Sequence, residues 1–167
     1  MSYFPEVEKI NYEGPETKNM FAFRHYNAEE EVMGKKMKDH LRFAIAYWHT
    51  MTQDGSDPFG DPINQRTWFG KTPMETAKNR VEAFFEICQK LGAEYFCFHD
   101  VDIAPQGDSL QEFYDNLDEI TDLINYGIQP ICSLTRALQM EQLQRIMRMY
   151  LLMQLHKSKK VWTFLKN

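Results

Sequence analysis

Two short apolar runs, each followed by a loop and an amphipathic helix, constrain the fold of this chain most strongly. The first run, RFAIAYWHTM, covers residues 42–51, and the second, EYFCFHDVD, covers residues 94–102. Both are almost continuous in apolar and aromatic residues, which is typical of strands buried on both faces of a parallel sheet. The order strand, loop, helix, strand, loop, helix therefore predicts an α/β fold.

The helix that follows the first run carries start and stop signals. Thr72 suits the N-cap, Pro73 suits the first helical position and Glu75 completes a capping box. Gly92 stands where a C-cap is expected. The apolar residues recur at helical spacing and are predicted to face the core; they are Val81, Phe84, Phe85 and Cys88.

The second helix lies within GDSLQEFYDNLDEITDLI, residues 107–124, and has one apolar face. That face comprises Leu110, Phe113, Leu117, Ile120, Leu123 and Ile124. Residues 52–70, between the first strand and the first helix, are predicted to form a long loop of the kind that is often functional. Residues 1–41 are predicted to form a polar N-terminal arm, with turns in YEGPET and YNAEEE and a short helix at Lys35–His40.

Composition narrows the class of protein. The chain has 167 residues, of which 43% are apolar, enough for one domain with its own core. A net charge of −5 argues against nucleic acid binding by the overall field, and no apolar run is long enough to cross a membrane. The N-terminus lacks the pattern of a signal peptide, and three cysteines, Cys88, Cys97 and Cys132, match neither a disulfide framework nor a metal site. These features predict a cytoplasmic protein.

Residues that could take part in catalysis or ligand binding follow the two predicted strands. Trp48 and His49 come at the end of the first strand, and His99 and Asp102 come at the end of the second. Ligands of parallel α/β folds bind at the carboxyl ends of the strands, so we expect these residues to share one face. A carboxylate beside His99 suits proton transfer or the binding of a sugar hydroxyl.

Each of these residues also has a simpler structural interpretation. His99 could be a strand-end histidine satisfied by a loop, and Asp100, which we favour as a cap of the following turn, competes with Asp102 for the carboxylate role. A His–Asp pair can bind a divalent metal, but it supplies two ligands and no third. Trp48 could be a stacking wall for a sugar or part of the core. Phe59, in DPFGDP, is expected to insert into another surface, such as a second subunit.

Together these segments resemble a known family. KINYEGPETKNMFAFRHYN, MKDHLRFAIAYWHTM, GSDPFGD and AFFEICQKLGAEYFCFHDVDIAPQGDSLQEFYDNLDEI are similar to xylose isomerase of the long N-terminus type, almost continuously from Lys9 to Ile124. The resemblance implies that the chain carries the first two βα units of a (β/α)8 barrel, a partial TIM barrel. It also implies a role in D-xylose metabolism, through the isomerisation of D-xylose to D-xylulose by ring opening and a hydride shift.

The resemblance also assigns roles to individual residues. His99 would take part in ring opening, Asp102 would orient His99, Trp48 would line the pocket for the pentose sugar, and Phe59 would reach into a neighbouring subunit's site. The family uses two divalent cations, usually Mg, whose ligands lie on later strands that have no match here, so no metal ligand is predicted in this chain. The family forms a homotetramer, which is not expected for this fragment.

The chain departs from the family after Ile124. Residues 1–125 contain 12 Lys and Arg against 23 Asp and Glu, a net charge of −11. Residues 126–167 contain 7 basic residues against one acid, a net charge of +6. The tail is rich in Met and Gln and is predicted to form an amphipathic helix from Thr135 to Lys157, with Leu138, Ile146, Met149, Leu152 and Met153 on one face.

The genetic code offers an origin for this tail. When degenerate codons for Asn125–Ser133 are regrouped by one base, they can encode L-W-N-T-A-N-M-F, which matches the family's next strand, KLLWNTANMF. The residues that follow can give S-N-P-R-F-A-N-G-A-A-T, and those from Met147 can give N-A-D-V-F-A-Y-A-A-A-Q-V-K-K-G. We therefore interpret the tail as the same gene read out of frame, after loss of a short segment. The coding DNA, regrouped by one base, is expected to read as the family sequence.

The predicted organisation is an N-terminal arm at 1–41, two βα units at 42–124 and an aberrant basic tail at 125–167. The favoured function is a xylose isomerase fragment that is inactive alone. The alternative is a non-catalytic protein whose basic tail helix binds a partner. Another metal-dependent barrel enzyme, such as a sugar epimerase, is disfavoured by the set YWHT, GSDPFG and FHDVD.

Overall fold

A computed structural model of the chain describes residues 2–56, 58–60 and 65–128. The described residues up to Gly127 belong to one compact unit. Its elements in chain order are β1 (Glu31–Val32), β2 (Lys35–Lys36), α1 (Met37–His40), β3 (Ala44–Ala46), a π-helical turn (Trp48–Thr52), α2 (Pro73–Leu91), β4 (Tyr95–Cys97), α3 (Asp100–Ile103) and α4 (Leu110–Ile128).

The parallel pairing of β3 with β4 defines the centre of this unit. Ala44 lies opposite Tyr95, and Ala46 lies opposite Cys97. Helix α2 connects the two strands, so that β3, α2 and β4 form a βαβ unit. The predicted α/β class and the parallel arrangement of the two strands are therefore confirmed. The sheet has two strands within the described parts of the chain, and no closed barrel is formed there.

The strand predicted at residues 42–51 is much shorter in the structure. After Ala46 the chain enters the π-helical turn, in which the hydroxyl of Thr50 donates to the carbonyl of Ala46 at 3.0 Å. The hydroxyl of Thr52 donates in the same way to the carbonyl of Trp48 at 2.7 Å. These side chains bond carbonyls four residues back, which gives those carbonyls a local alternative to the hydrogen bonds of a sheet.

The strand predicted at residues 94–102 is likewise restricted to Tyr95–Cys97. It ends because the carboxylate of Asp102 accepts the backbone N–H of His99, which begins the one-turn helix α3. Neither strand is fully buried as predicted, since Ala44 and Cys97 are exposed. In the described residues β3 and β4 pair only with each other, so parts of both strands remain uncovered.

The short helix predicted at Lys35–His40 begins two residues later, at Met37. Lys35 and Lys36 instead form β2, which pairs antiparallel with β1. The two residues between the strands, Met33 and Gly34, have φ of 51° and 77°. Positive φ at both positions of a two-residue connection closes a β-hairpin, and the hairpin competes locally with the helix.

Aromatic packing on α2 forms the core. The ring of Phe84 lies 4.9 Å from that of Tyr47, which follows β3, and 5.7 Å from that of Phe96 in β4. Phe85 contacts Phe96 as well, at 5.7 Å. Edge-to-face contacts of this kind add to the stabilisation that comes from burial. The predicted core face of α2 is confirmed, because Val81, Phe84, Phe85 and Cys88 are all buried.

The apolar face of α4 is buried in part. Phe113, Ile120 and Ile124 are buried, as predicted, and Leu117 and Leu123 are partly buried. Leu110, at the first position of the helix, is instead exposed.

Both long helices begin with the same sequence pattern, G-x-[T/S]-x-x-E. In α2 the hydroxyl of Thr72 accepts the N–H of Glu75 at 3.0 Å, as predicted for an N-cap. The carboxylate of Glu75 reaches back one residue further than a standard capping box and accepts the N–H of Lys71 at 2.6 Å. At the start of α4, Glu112 makes the matching contacts, donating its N–H to Ser109 and accepting from Asp108.

The glycines at the ends of these helices have defined roles. Gly92 has φ of 67° and ends α2 in the left-handed conformation, as predicted for the C-cap. Gly107, before α4, has φ of 68° and lies where an added Cβ would be 2.6 Å from the Glu112 side chain. A side chain at Gly107 would therefore disturb the start of α4.

The N-terminal arm is bound to the C-terminal turns of α2. The carboxylate of Glu86 accepts the hydroxyl of Ser2 and the backbone N–H groups of Tyr3 and Phe4. Lys90 forms an ion pair with Glu86 at 2.9 Å and donates to the carbonyl of Phe4 at 2.5 Å. Burial alone would raise the pKa of Glu86, but the hydrogen bonds from Ser2, Lys90 and the arm backbone lower it to about 2.

Parts of the predicted organisation lie outside the described residues. The tail predicted at 125–167 is described only to residue 128, and the helix predicted from Thr135 to Lys157 is outside the described residues. The three predicted segment boundaries therefore stay predictions. Among the described residues, no helix combines the length and the apolar character that crossing a membrane requires.

Phe84→Ala is expected to destabilise the protein by about 3–5 kcal/mol, because it removes the ring that joins α2 to both strands and leaves a cavity. The matched control is Phe69→Ala, since the Phe69 ring is half exposed. The control is expected to cost less than about 1 kcal/mol. Urea unfolding of the full chain measures both values, and equal losses would contradict the assignment of Phe84 to the core.

The arm is expected to detach from α2 at acid pH. The folded pKa of Glu86, about 2, lies below the ordinary glutamate value, so its contacts are fully present above that ordinary value. They are then lost as the pH falls towards the folded pKa. Amide hydrogen exchange at Tyr3 and Phe4 as a function of pH measures this loss. In Glu86→Gln the exchange should be faster at neutral pH and should lack the acid transition; an unchanged transition would refute the assignment.

Candidate active site

The register of the parallel pair places two aromatic side chains together. Trp48 follows Ala46 by two residues, and His99 follows Cys97 by two residues, while Ala46 and Cys97 lie opposite each other. Because carboxyl ends of parallel strands meet at one edge, the two side chains emerge side by side. Their ring centroids are 4.5 Å apart, with 38° between the ring planes. Trp48 is half-buried, and the ring of His49 lies 5.4 Å from it.

His99 and Asp102 form a hydrogen-bonded pair beside this indole. His99 Nδ1 lies 2.8 Å from Asp102 Oδ2, and the backbone N–H of His99 donates to the same oxygen at 3.0 Å. An ionised carboxylate only accepts hydrogen bonds, so Nδ1 carries the proton. The other ring nitrogen, Nε2, is then the acceptor of a neutral imidazole. The His99 side chain is 61% exposed and Asp102 only 15%, so the base faces solvent and its partner lies behind it.

The structure distinguishes the two carboxylates that follow β4. Asp102 contacts His99, whereas Asp100 accepts the N–H of Val101 at 2.8 Å and lies in the first turn of α3. The residue at the N-cap of α3 is His99, so the prediction that Asp100 caps this turn is wrong in detail. Asp102 takes the capping contact because its position, three residues after His99, allows its side chain to reach back to the His99 N–H.

Two residues that the sequence analysis missed support this pair from behind. The side chain of Arg80, in α2, donates from Nη2 to the carbonyl of Asp102 at 2.8 Å and from Nε to the hydroxyl of Tyr47 at 3.2 Å. Tyr47 is almost fully buried, and burial raises its pKa to about 12 despite the nearby guanidinium of Arg80. The signal in the sequence was a charged residue one turn before Phe84, close to the apolar face of α2.

Phe59 is placed apart from these contacts. It lies in the described loop segment 58–60, and 97% of its surface is exposed. The structure therefore brings Trp48, His99 and Asp102 together and leaves Phe59 at the surface. An apolar ring in that position is costly to leave in water, so its predicted insertion into another subunit stays a prediction.

The described residues do not fit a metal centre. Across the described parts of the chain, no three side chains of His, Cys, Asp or Glu are grouped so that they could hold an ion. His99 and Asp102 bond each other, and a third donor is not at hand there. The arrangement can hold and move a proton at Nε2 and can present an indole face to a ligand, but it offers no Lewis acid of its own.

Asp102→Asn is expected to change the tautomer of His99. The Asn amide group can donate to Nδ1, so the proton of the neutral ring would move to Nε2 and the tautomer ratio would shift by about tenfold. Nitrogen-15 NMR of the full chain, with the signal assigned by His99→Gln, measures the ratio. Asp100→Asn is the matched control and should leave it unchanged. An unchanged ratio in Asp102→Asn would contradict the geometry described above.

Comparison with known proteins finds relatives of the N-terminal part of the chain. No family model matches the chain. Xylose isomerase from Enterococcus faecalis is 73% identical over 124 residues, which are 74% of this chain and 28% of that protein. Xylose isomerase from Tetragenococcus halophilus is 71% identical over the same shares of the two chains. Xylose isomerase from Lactococcus lactis subsp. cremoris is 60% identical over 73% of this chain and 32% of that protein.

The chain thus spans about a third or less of the length of the curated relatives it matches. The matched residues lie in the N-terminal part of the chain, as the resemblance predicts. The match is 124 residues long, which equals the number of residues up to Ile124. Over its N-terminal 124 or so residues, this chain is a relative of the xylose isomerases, which confirms the family resemblance predicted from the sequence.

Proposed function

We propose that the described residues form the first two βα units of a (β/α)8 barrel and carry part of the active site of a xylose isomerase. The support is the parallel pair of β3 and β4 with α2 between them, followed by α4. In such barrels the active site lies at the carboxyl ends of the strands. Trp48 and His99 lie at that end of this pair, and the high identity to xylose isomerases supports a sugar as the substrate.

The proposed substrate is a pentose sugar, D-xylose, which the family converts to D-xylulose. The indole of Trp48 offers a flat apolar face on which the C–H groups of a sugar ring could pack. Beside it, Nε2 of His99 offers a hydrogen-bond acceptor to a sugar hydroxyl. The two neighbouring rings therefore offer one apolar and one polar element to the same ligand, which is the usual composition of a small-molecule site.

The proposed chemical role of His99 is proton transfer during ring opening. Opening a cyclic aldose breaks the bond between the anomeric carbon and the ring oxygen, removes the proton of the anomeric hydroxyl and adds a proton to the ring oxygen. A neutral His99 can accept such a proton at Nε2, and the imidazolium that forms can return it. Asp102 stabilises the imidazolium and holds the ring orientation through Nδ1.

The second stage, the hydride shift, is assigned to no residue of this chain. The metal ligands that the resemblance implies lie on later strands, and the described residues do not fit a metal centre. We therefore propose that the chain binds sugar weakly and does not isomerise it. We also propose a cytoplasmic location, supported by the sequence, in which three cysteines match no disulfide framework.

The chain is expected to bind D-xylose without converting it. Titration of the full chain with the sugar should shift the NMR signals of the Trp48 indole and the His99 ring. Trp48→Ala should remove the effect on His99, because the apolar face is lost. Phe69→Ala, which alters an exposed ring in another region, is the control and should behave as the unmodified chain.

An isomerase assay of the same protein with Mg should show no formation of D-xylulose. Turnover would refute the proposal that the fragment is inactive. Absence of any NMR shift at high sugar concentration would refute the proposal that this face binds sugar, and would favour the alternative of a non-catalytic chain that acts through its basic tail.

A further inference from the structure

One side chain of α2 contacts both segments that follow the two strands. Arg80 Nη2 donates to the backbone carbonyl of Asp102 at 2.8 Å, and Nε donates to the hydroxyl of Tyr47 at 3.2 Å. The guanidinium carbon also lies 5.8 Å from the centre of the Tyr47 ring. Arginine is suited to this task because its planar fork presents several donors in fixed directions.

The element that Arg80 contacts is weak on its own. Helix α3 has four residues, and one turn of helix does not form stably without outside contacts. Backbone bonds close its two ends: the N–H of Asp102 donates to the carbonyl of His99 at 3.1 Å, and that of Ala104 donates to the carbonyl of Asp100 at 3.3 Å. Carbonyls in the last turn of a helix lack partners within the helix. Arg80 supplies a partner to one of them, the carbonyl of Asp102.

The anchor behind Arg80 is rigid. Tyr47 is 1% exposed, and its ring packs edge-on against Phe84 at 4.9 Å. On the other side of α3, Ile103 and Ala104 are also almost fully buried. Asp102 is therefore held through its backbone by α2 and by the buried end of α3, while its side chain is left to bond His99.

We propose that Arg80 is a positioning residue, which fixes Asp102 so that its carboxylate keeps the proton of His99 on Nδ1 and the imidazole against Trp48. Its meaning for ring opening rests on the proposed function, but its effect on His99 does not require a sugar. A loss of this contact would let α3 shift, and the carboxylate would no longer be held at 2.8 Å from Nδ1.

The test compares variants of the full chain by nitrogen-15 NMR of His99, and by the nuclear Overhauser effect between the Trp48 and His99 rings. Arg80→Met removes both donors and keeps much of the apolar stem. Arg80→Lys keeps the charge but has no fork. Tyr47→Phe removes only the hydroxyl. The matched control is Lys78→Met, which removes another α2 cation; that cation pairs with Glu119 at the surface, away from α3.

In Arg80→Met the ratio of the Nδ1-protonated to the Nε2-protonated tautomer is expected to fall by about tenfold, which corresponds to the loss of about one charge-assisted hydrogen bond. The ring-to-ring Overhauser effect should weaken as well. Arg80→Lys should restore part of both signals, since an ammonium can still reach one acceptor. Tyr47→Phe should cause a smaller change than Arg80→Met, since the contact of Arg80 with Asp102 remains, and Lys78→Met should stay close to the unmodified chain.

Several results would overturn the proposal. One is a folded Arg80→Met or Arg80→Lys with an unchanged tautomer, and another is an equal change in Lys78→Met. If circular dichroism shows that both Arg80 variants unfold, Arg80 is a general fold determinant and the proposal also fails. If the unmodified chain binds no sugar but Arg80→Met still shifts the tautomer, the proposed function fails and the positioning role stands.

Discussion

The parallel register of β3 and β4 is the constraint on which the rest of the structure depends. Ala46 and Cys97 lie opposite each other, so residues that follow them by the same interval emerge at one edge. The contact between Trp48 and His99 is the direct result. A slip of one residue in this pairing would shift the start of the turn at Trp48 relative to His99 and would disturb the contact between the two rings. Three paired residues per strand therefore set where the two rings meet.

Helix α2 maintains this register and also supports the chemistry. Phe84 packs against Tyr47, which follows β3, and against Phe96, which lies in β4. One turn earlier, Arg80 contacts Tyr47 again and reaches Asp102. Stability and function thus draw on neighbouring positions of one helix. Loss of packing at Phe84 would therefore change the position of His99, even though the residues in contact with His99 are unchanged.

The helices could be predicted from the sequence because their signals are local. Thr72 and Gly92 form hydrogen bonds with backbone groups a few residues away, so each end of α2 is determined by residues close to it in the sequence. The strands were predicted too long because their extent depends on a partner that is distant in sequence. The threonines in the turn after β3 also supplied a local alternative to extended backbone.

The candidate site shows the same division. His99 and Asp102 were predicted as a pair because they are three residues apart, and strand order alone brought Trp48 to the same edge. Arg80 could not be assigned from the sequence, since one of its acceptors is a backbone carbonyl and the other is a buried hydroxyl 33 residues away. Every residue has a backbone carbonyl, so the sequence does not indicate which carbonyl accepts a hydrogen bond. Such contacts can be identified only from a structure.

The attachment of the arm to α2 has a consequence for how the chain is made. Ser2 and Tyr3 are synthesised before α2, and the carboxylate that binds them belongs to a residue 84 positions after Ser2. The arm therefore has to wait for most of the described chain to be synthesised before it can dock. The entropic cost of closing so long a loop rises only slowly with its length. Docking of the arm would then be a late step, which fastens α2 after its own turns have formed.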